Sequence, residues 1–432
     1  MTEFVRCARA LVGAREVADF GFALSGGKIE ASGLWGDLKL PPGTRPDHEF
    51  GPGVIVVPGF INGHSHAYQI LLRGRGDDLT FERWRDDVLY ATVPRLTPDD
   101  VYWTFVVAFS EMLAAGITSV AEFFYLNGAG NDHAEAAIRA AEDSGIRLLL
   151  ARTWVDAPHL PAAFREEIPV ASERTLALMR AHPELKICVA PHSLHAASRD
   201  MVAAAGTFAR AHDCDVHVHV AEAQYEGAHT HERYGATPIE MLDRLGVLDE
   251  RLVAIHAIYV SDSEKDLMAQ RHVRVVHNPM TNMYLGDGIC DTVGLLERGI
   301  PVGLGTDADV KPSLIDEMRA ASLLQKVARR DGSAMGAAPA WDLGTSGGAA
   351  ALGIPAGTLD TGSFADFCVL DAQSIDPWSP ALNAIVYRAD SSWVRETYVA
   401  GRRVWNGASS IGEVASQKLR TIAQRLDLGG ET

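Results

Sequence analysis

Short runs dense in β-branched and aliphatic residues recur along the chain, each followed by a longer stretch whose apolar positions repeat at helical spacing. "GVIVVPGF" is the first such run; "GITSVAEF", "GIRLLLARTW", "LKICVAPHSL", "DVHVHVAEA", "RLVAIHAIYV", "VRVVHNPMTN" and "IPVGLGTDA" follow, making eight. Eight strands separated by helices predict an α/β fold, a (β/α)8 TIM barrel. One helix is bounded by its own signals: in "TPDDVYWTFVVAFSEMLAAG", Thr97 can cap, Pro98 suits the first turn, Asp100 completes a capping-box spacing and Gly116 ends the run.

The two ends are patterned differently. Short alternating segments with "SGGK" and "PPG" turns precede the barrel, and "TGSFADFCVLD" and "SSWVRETYVAGRRVWNG" follow it, again strand and turn material. Residues 1–57 and 356–432 are therefore expected to form a small composite β-sandwich domain beside a hydrolase barrel of residues 58–355.

Composition narrows the function classes. With 432 residues, 47% hydrophobic and 22% charged, the chain can bury a large core. A formal net charge of −17 argues against a surface that tracks phosphates, so nucleic acid is not expected as a partner. No apolar run approaches the roughly 20 residues needed to cross a bilayer, and charge interrupts "MTEFVRCARALVGARE" before a signal-peptide core could form. The expectation is a cytoplasmic protein with no membrane partner. Five scattered cysteines without a CxxC suggest neither a disulfide framework nor a thiolate metal site. Any metal must take nitrogen and oxygen ligands.

Such ligands are present. In "PGFINGHSHAYQ", Val54 to Val57 read as a buried strand, with Pro58-Gly59 and Asn62-Gly63 as punctuation, so His64 and His66 fall near a strand's carboxyl end. Residues i and i+2 of an extended chain face the same way, so the two imidazoles converge. Glu122 and Tyr125 follow the second strand, His192 ends the fourth, His217, His219 and Glu222 mark the fifth, His256 lies in the sixth and Asp307 closes the eighth. Barrel active sites gather at that end of the strands. A single buried histidine is more often a hydrogen-bonded core residue, and Asp307 could serve as a turn or helix cap. Together, His64, His66, His219 and Asp307 have the number and type of ligands for one Zn2+ per chain that keeps a position open for water; Fe2+ accepts the same set. His217, one step deeper, is expected to fill a barrel layer. Glu222 could pass a proton from the water to a leaving nitrogen, and His256 could hydrogen-bond the attacking oxygen. The plain alternative for Glu222 is a solvated carboxylate at a helix start.

These segments resemble the amidohydrolase superfamily: "HSH" after the first strand, "HVHVAE" at the fifth, "IHAI" at the sixth and "GTD" at the eighth, with "TGSFADFCVLD" similar to its terminal β segment. Binuclear members often bridge their metals with a modified lysine near the end of the fourth strand. Lys186 lies at that strand's start, so the resemblance is to the mononuclear zinc deaminases. "GHSHAYQ", "WRDDVLY", "EMLAAGITSVAEFFY", "APHSL" and "LGDGI" further resemble the formimidoylglutamate deiminases, which hydrolyse a formimino group and release ammonia. That resemblance implies substrate-binding roles for Gln69, Arg85, Tyr125 and His192, with the Arg85 guanidinium forked onto a carboxylate. Arg85 has a local alternative, pairing with Asp86 or Asp87, while Trp84, Phe123 and Phe124 suit the core or a pocket wall.

Two features depart from the deiminase pattern. His195 stands where that family has a second carboxylate-binding arginine, and "HNPMTNMYLGDG" resembles the guanine and triazine branch instead. The first expectation is thus a zinc-dependent C–N hydrolase that deiminates N-formimidoyl-L-glutamate or a similar carboxylate-bearing amidine. The second is an aminohydrolase of an aromatic heterocycle such as guanine, a pterin or a triazine. The third, from another class, is a catalytically silent metal-binding barrel, whose sign would be a missing ligand or proton-transfer carboxylate. Flat barrel faces and the resemblance imply a homodimer.

Overall fold

The computed structural model describes residues 2–407 and 410–428; positions 1, 408–409 and 429–432 of the expected terminal domain lie outside the described residues. Eight parallel strands close into a barrel: β1 (Phe60–Ser65), β2 (Ile117–Phe124), β3 (Arg147–Trp154), β4 (Lys186–Pro191), β5 (Val216–Val220), β6 (Leu252–His256), β7 (Arg274–His277) and β8 (Val302–Leu304). Each pairs with the next, and β8 returns to β1 through Leu304 and Asn62. Helices cover the outside while side chains fill the inside, so the strands are buried on both faces; all eight residues of β2 are buried. That double burial explains why the strands read as continuous apolar runs.

The helix Pro98–Ala114 begins as expected: Thr97 Oγ1 accepts from Asp100 N at 3.3 Å and Asp100 Oδ2 accepts from Thr97 N at 2.7 Å.

The first barrel strand is not where the apolar run placed it. Val54–Pro58 pairs antiparallel with Phe367–Asp371 in a second sheet. The barrel starts after the Pro58-Gly59 break, where Gly59 N–H donates to Asp366 O at 3.0 Å. A Cβ at Gly59 would lie 2.2 Å from Thr118 Oγ1, so only glycine allows this crossing. Asn62-Gly63, which looked like a turn, lies inside β1. A Cβ on Gly63 would meet Val276 Cγ2 at 2.9 Å, so here the glycine serves close packing.

Strands from both termini form one mixed sheet of eight. Its order is Arg402–Trp405, Val394–Val399, Phe367–Asp371, Val54–Pro58, Glu3–Val12, Arg15–Ser25 and Lys28–Leu34, with His48–Phe50 also on Glu3–Val12. Phe367 stacks on Tyr398 at 4.3 Å and meets Phe22 edge-on at 5.3 Å in its core. The C-terminal region is not only strand and turn. Ala381–Arg388 and Ser410–Arg425 are helical, and Arg425 of the latter pairs with Asp100 at the start of the helix Pro98–Ala114. Among the described residues, no helix is long and apolar enough to cross a membrane.

Candidate active site

The seam between β1 and β8 sets the floor of the site. His66 N–H donates to Asp307 O at 2.8 Å, and the N–H groups of Thr306 and Asp307 both donate to His64 O at 3.0 Å. Side chains reinforce the seam: Asn62 Nδ2 donates to Thr306 Oγ1 at 2.7 Å, and Ser65 Oγ donates to Asp309 Oδ2 at 2.6 Å. Gly305 lets the segments approach, since a Cβ there would lie 2.4 Å from Asn278 Oδ1 and 2.8 Å from His64 Cβ. Asp307 and Asp309 sit in the left-handed region with φ of 52° and 51°, as do Ala221, His256 and Ala257 at the ends of β5 and β6. Non-glycine residues adopt this conformation only when their surroundings enforce it, and here it aims side chains inward.

The four expected ligands meet at this floor. His64 Nε2 lies 3.2 Å from His219 Nε2 and 3.2 Å from Asp307 Oδ1, and His66 Nε2 lies 3.5 Å from the same oxygen. Two ligand atoms bound about 2.0–2.1 Å from a tetrahedral zinc would be about 3.3 Å apart, so these separations fit that ion. The outer nitrogens are also arranged for it. His66 Nδ1–H donates to Phe123 O at 2.9 Å and His219 Nδ1–H to His192 O at 3.0 Å, leaving both Nε2 lone pairs facing the centre. His64 Nδ1 is the exception, with no partner among the described residues.

Burial, and then the neighbouring His64, lowers the His66 pKa to about 3. Burial with His192 and His64 holds His219 well below its ordinary value, so both rings are neutral, the ligating form. Burial alone would raise Asp307, but its hydrogen bond with His64, and then the flanking His64, His256 and His66 rings, outweigh that and hold it well below the usual carboxylate range.

Two further groups face the same point. His256 Nε2 lies 3.4 Å from Glu222 Oε1 and 3.6 Å from Asp307 Oδ2. The nearest ligand-type atoms of His64, His219, His256 and Asp307 all fall within 4.8 Å of one another. Burial, with Asp287, Asp307 and Glu226 nearby, pushes the Glu222 carboxyl well above its usual range. The Glu222 segment is held by Glu226, whose carboxylate accepts from the backbone N–H groups of Ala221, Glu222 and Ala223 at 3.0, 3.1 and 3.0 Å. Glu226 was missed in the sequence. Its only signal is its position four residues beyond Glu222 in "AEAQYE".

Above the floor opens a cleft of about 1170 Å³ of empty space, counting the open mouth. Gln69 donates from Nε2 to Tyr125 Oη at 3.2 Å and Tyr68 Oη at 3.3 Å, so Gln69 and Tyr125 line the cleft as one hydrogen-bonded unit. The His192 ring lies 4.6 Å from His219 and 5.8 Å from Tyr125. Phe123 packs beneath the floor, 4.3 Å from His219, whereas Phe81 and Trp84 stack 6.3 Å apart along the cleft wall.

The rim differs from the sequence expectation. Arg85 lines the cleft, but its fork is engaged by Asp86 at 2.8 and 3.1 Å, with the guanidinium 5.7 Å above the Tyr90 ring. The local pairing accounts for its side chain. His195 lies exposed at the mouth, and an imidazole there has neither the fork nor the permanent charge of a guanidinium. His217 is buried below the floor with neither ring nitrogen partnered among the described residues, while Lys186 pairs with Asp215 at 2.7 Å at the start of β4, away from the mouth.

A sequence model of the amidohydrolase family matches residues 55–404. The chain belongs to this family. It is accordingly a hydrolase acting on C–N bonds, with a cluster of histidine and aspartate of the kind that holds a metal ion. It is 32% identical over 403 residues to the 5′-deoxyadenosine deaminase of Methanothermobacter thermautotrophicus, covering 91% of this chain and 92% of that protein. It is 33% identical over 358 residues to the 5-methylthioadenosine/S-adenosylhomocysteine deaminase of Natronomonas pharaonis, covering 81% of each. The solved structure of an adenosine deaminase from Xanthomonas campestris with bound zinc superposes with a TM-score of 0.90 at 25% identity, covering 98% of both chains. These amidohydrolase relatives are deaminases of adenosine derivatives. The likeness to formimidoylglutamate deiminases gains no support from them, and the heterocycle aminohydrolase reading does.

Proposed function

We propose that this amidohydrolase is a zinc-dependent aminohydrolase of adenine nucleosides altered at the 5′ position, such as 5′-deoxyadenosine, 5-methylthioadenosine or S-adenosylhomocysteine. Water replaces the exocyclic amine of the purine with oxygen, and ammonia leaves. The observation that carries this reading is the convergence of Glu222 and His256 on the four-ligand cluster, at the floor of an aromatic cleft large enough for a nucleoside. The relatives supply the substrate class.

His64, His66, His219 and Asp307 would hold the ion. When bound, it supplies Lewis acidity, which lowers the pKa of water from about 15.7 toward about 7. Glu222 sits within reach of both the attacking oxygen and the departing nitrogen; it takes the proton from the first and delivers it to the second as the C–N bond breaks. His256 donates from Nε2 to the oxygen as negative charge develops on it. Gln69, fixed through Tyr125 and Tyr68, presents its amide to the edge of the base, and His192 abuts the same face of the cleft. Phe81 and Trp84 form an apolar wall for the sugar and its 5′ substituent, with Arg85 and His195 at the mouth. A homodimer and a cytoplasmic setting belong to the same proposal; sedimentation equilibrium checks the first.

Two observations count against a formimidoyl dicarboxylate. Arg85 is engaged by Asp86, and His195 cannot fork onto a second carboxylate. A silent barrel is disfavoured because no ligand and neither proton-handling group is missing. Ammonia release by the zinc-loaded protein from 5′-deoxyadenosine, 5-methylthioadenosine and S-adenosylhomocysteine, set beside N-formimidoyl-L-glutamate, guanine and aminotriazines, tests the proposal. Turnover of the adenosine derivatives is expected. Turnover confined to the other compounds, or none at all, would overturn it.

A further inference from the structure

Four imidazoles crowd the floor, and distance alone does not tell which three are ligands. Their outer nitrogens do. His66 and His219 each face a backbone carbonyl, an acceptor, which places the proton on Nδ1 and leaves Nε2 bare. His256 faces the opposite kind of group. Its Nδ1 lies 2.9 Å from Asn282 Nδ2 and 3.3 Å from Asn278 Nδ2. Two amide donors on Nδ1 require its lone pair there and put the proton on Nε2.

The amide orientation has its own support. Asn282 Nδ2 also lies 3.2 Å from Asp287 Oδ2, so the NH2 group serves two acceptors, whereas a reversed amide would set its oxygen against that carboxylate. The other end of the ring agrees. Nε2 is flanked by Glu222 Oε1 and Asp307 Oδ2, at 3.4 and 3.6 Å, and a bare lone pair would repel both oxygens.

The backbone explains why both asparagines reach one nitrogen. Asn278 caps the helix Pro279–Leu285 and Asn282 lies one turn on, joined to it by Asn282 N–H donating to Asn278 O at 3.0 Å. The turn closes through Gly286 at φ 75°, and Asp287 N–H donates back to Asn282 O at 2.9 Å, which sets the Asp287 side chain beside the Asn282 amide. Tyr259 Oη donates to Asp287 O and fixes the loop from outside.

We infer that Asn282, oriented by Asp287, is a positioning residue that locks His256 as its Nε2–H tautomer, making it a hydrogen-bond donor to the reacting oxygen and excluding it from the metal. The inference rests on the reading of the site as a C–N hydrolase but not on the identity of the substrate.

Long-range 1H–15N correlation spectra of protein labelled at histidine, recorded without substrate, read the tautomer directly. The expected result for the native protein is a proton on Nε2 of His256, assigned by its loss in His256→Asn; a proton on Nδ1 would overturn the inference with no further variant needed. Asn282→Asp replaces the donor with an acceptor of the same size. It is expected to move the His256 proton to Nδ1 and to lower kcat about 100-fold, with KM changed less than about threefold. Asp287→Asn removes the orienting carboxylate and is expected to give mixed tautomers and a loss of about tenfold in kcat. Unchanged tautomer and kcat in both variants would sink the proposal. Because the spectra need no substrate, a failed nucleoside assay would count against the proposed function and leave the tautomer result standing.

Discussion

At the floor of the cleft, three imidazoles are tied at their far ends, His66 to Phe123 O, His219 to His192 O and His256 to two asparagines, while the backbone carrying Glu222 is pinned by the Glu226 carboxylate. At the rim, Arg85 pairs with the residue beside it and keeps 28% of its side-chain surface exposed, and His195 projects into the mouth. Floor residues come from strand ends and from segments pinned across the seam. Rim residues come from loops and short helical turns. The contrast separates two tasks. Chemistry needs groups held to within a fraction of an ångström, which strands and buried hydrogen bonds provide, whereas substrate choice tolerates, and is altered through, looser surroundings.

The strongest way to break that contrast is at a ligand. His219→Ala should strip the metal and lower turnover by about 10,000-fold, with zinc content by elemental analysis falling in step. Normal zinc content with lost activity would show that the floor is assembled differently. Glu222→Gln comes next: zinc should be retained, KM should stay within about threefold, and kcat should fall about 100- to 10,000-fold.

Buried imidazoles make the folded protein sensitive to acid. His277 is buried near His256 with neither ring nitrogen partnered among the described residues, and burial lowers its pKa from 6.5 to about 3. The unfolded chain binds that proton near pH 6.5 and the folded one only near pH 3, so stability is lost as pH falls through this window. Equilibrium urea unfolding should show His277→Leu flattening the decline by about 1.4 kcal/mol per pH unit. The smallest effect belongs to the rim. Arg85→Ala should change kcat and the melting temperature little, because an exposed pair with Asp86 is worth about 0–1 kcal/mol, and should shift KM for an adenosine derivative only a few-fold. A loss of kcat above about tenfold would make the rim part of the chemistry.

The same division governed what the sequence could reveal. Seven barrel strands and the helix Pro98–Ala114 were legible because burial on both faces and a capping box leave strong local signals. β1 was displaced because the densest apolar run, Val54–Pro58, belongs to the terminal sheet, and because Asn62-Gly63 carries the composition of a turn while serving a tightly packed strand. The side chains that meet at the floor, His64, His66, His219, Asp307, Glu222 and His256, stood out in the sequence as rare residue types at strand ends. Glu226, Asn282 and Asp287 were not. Asparagine and carboxylates are ordinary on helix surfaces and in loops, and only the fold shows that their partners are a backbone turn and the His256 ring. Arg85 was ambiguous in the sequence, which offered both a cleft position and a local pairing, and the structure shows both: it lines the cleft with Asp86 on its fork.

The seam joining Ser65 to Asp307 has a consequence for biosynthesis. Two ligands emerge from the ribosome early and the last emerges some 240 residues later, so a growing chain can offer only an incomplete claw until nearly the whole ring has been made. Completion of the side-chain cluster then coincides with the final stitch between the ring's first and last staves, and prematurely terminated products would be left with an open ring and an unfinished cluster.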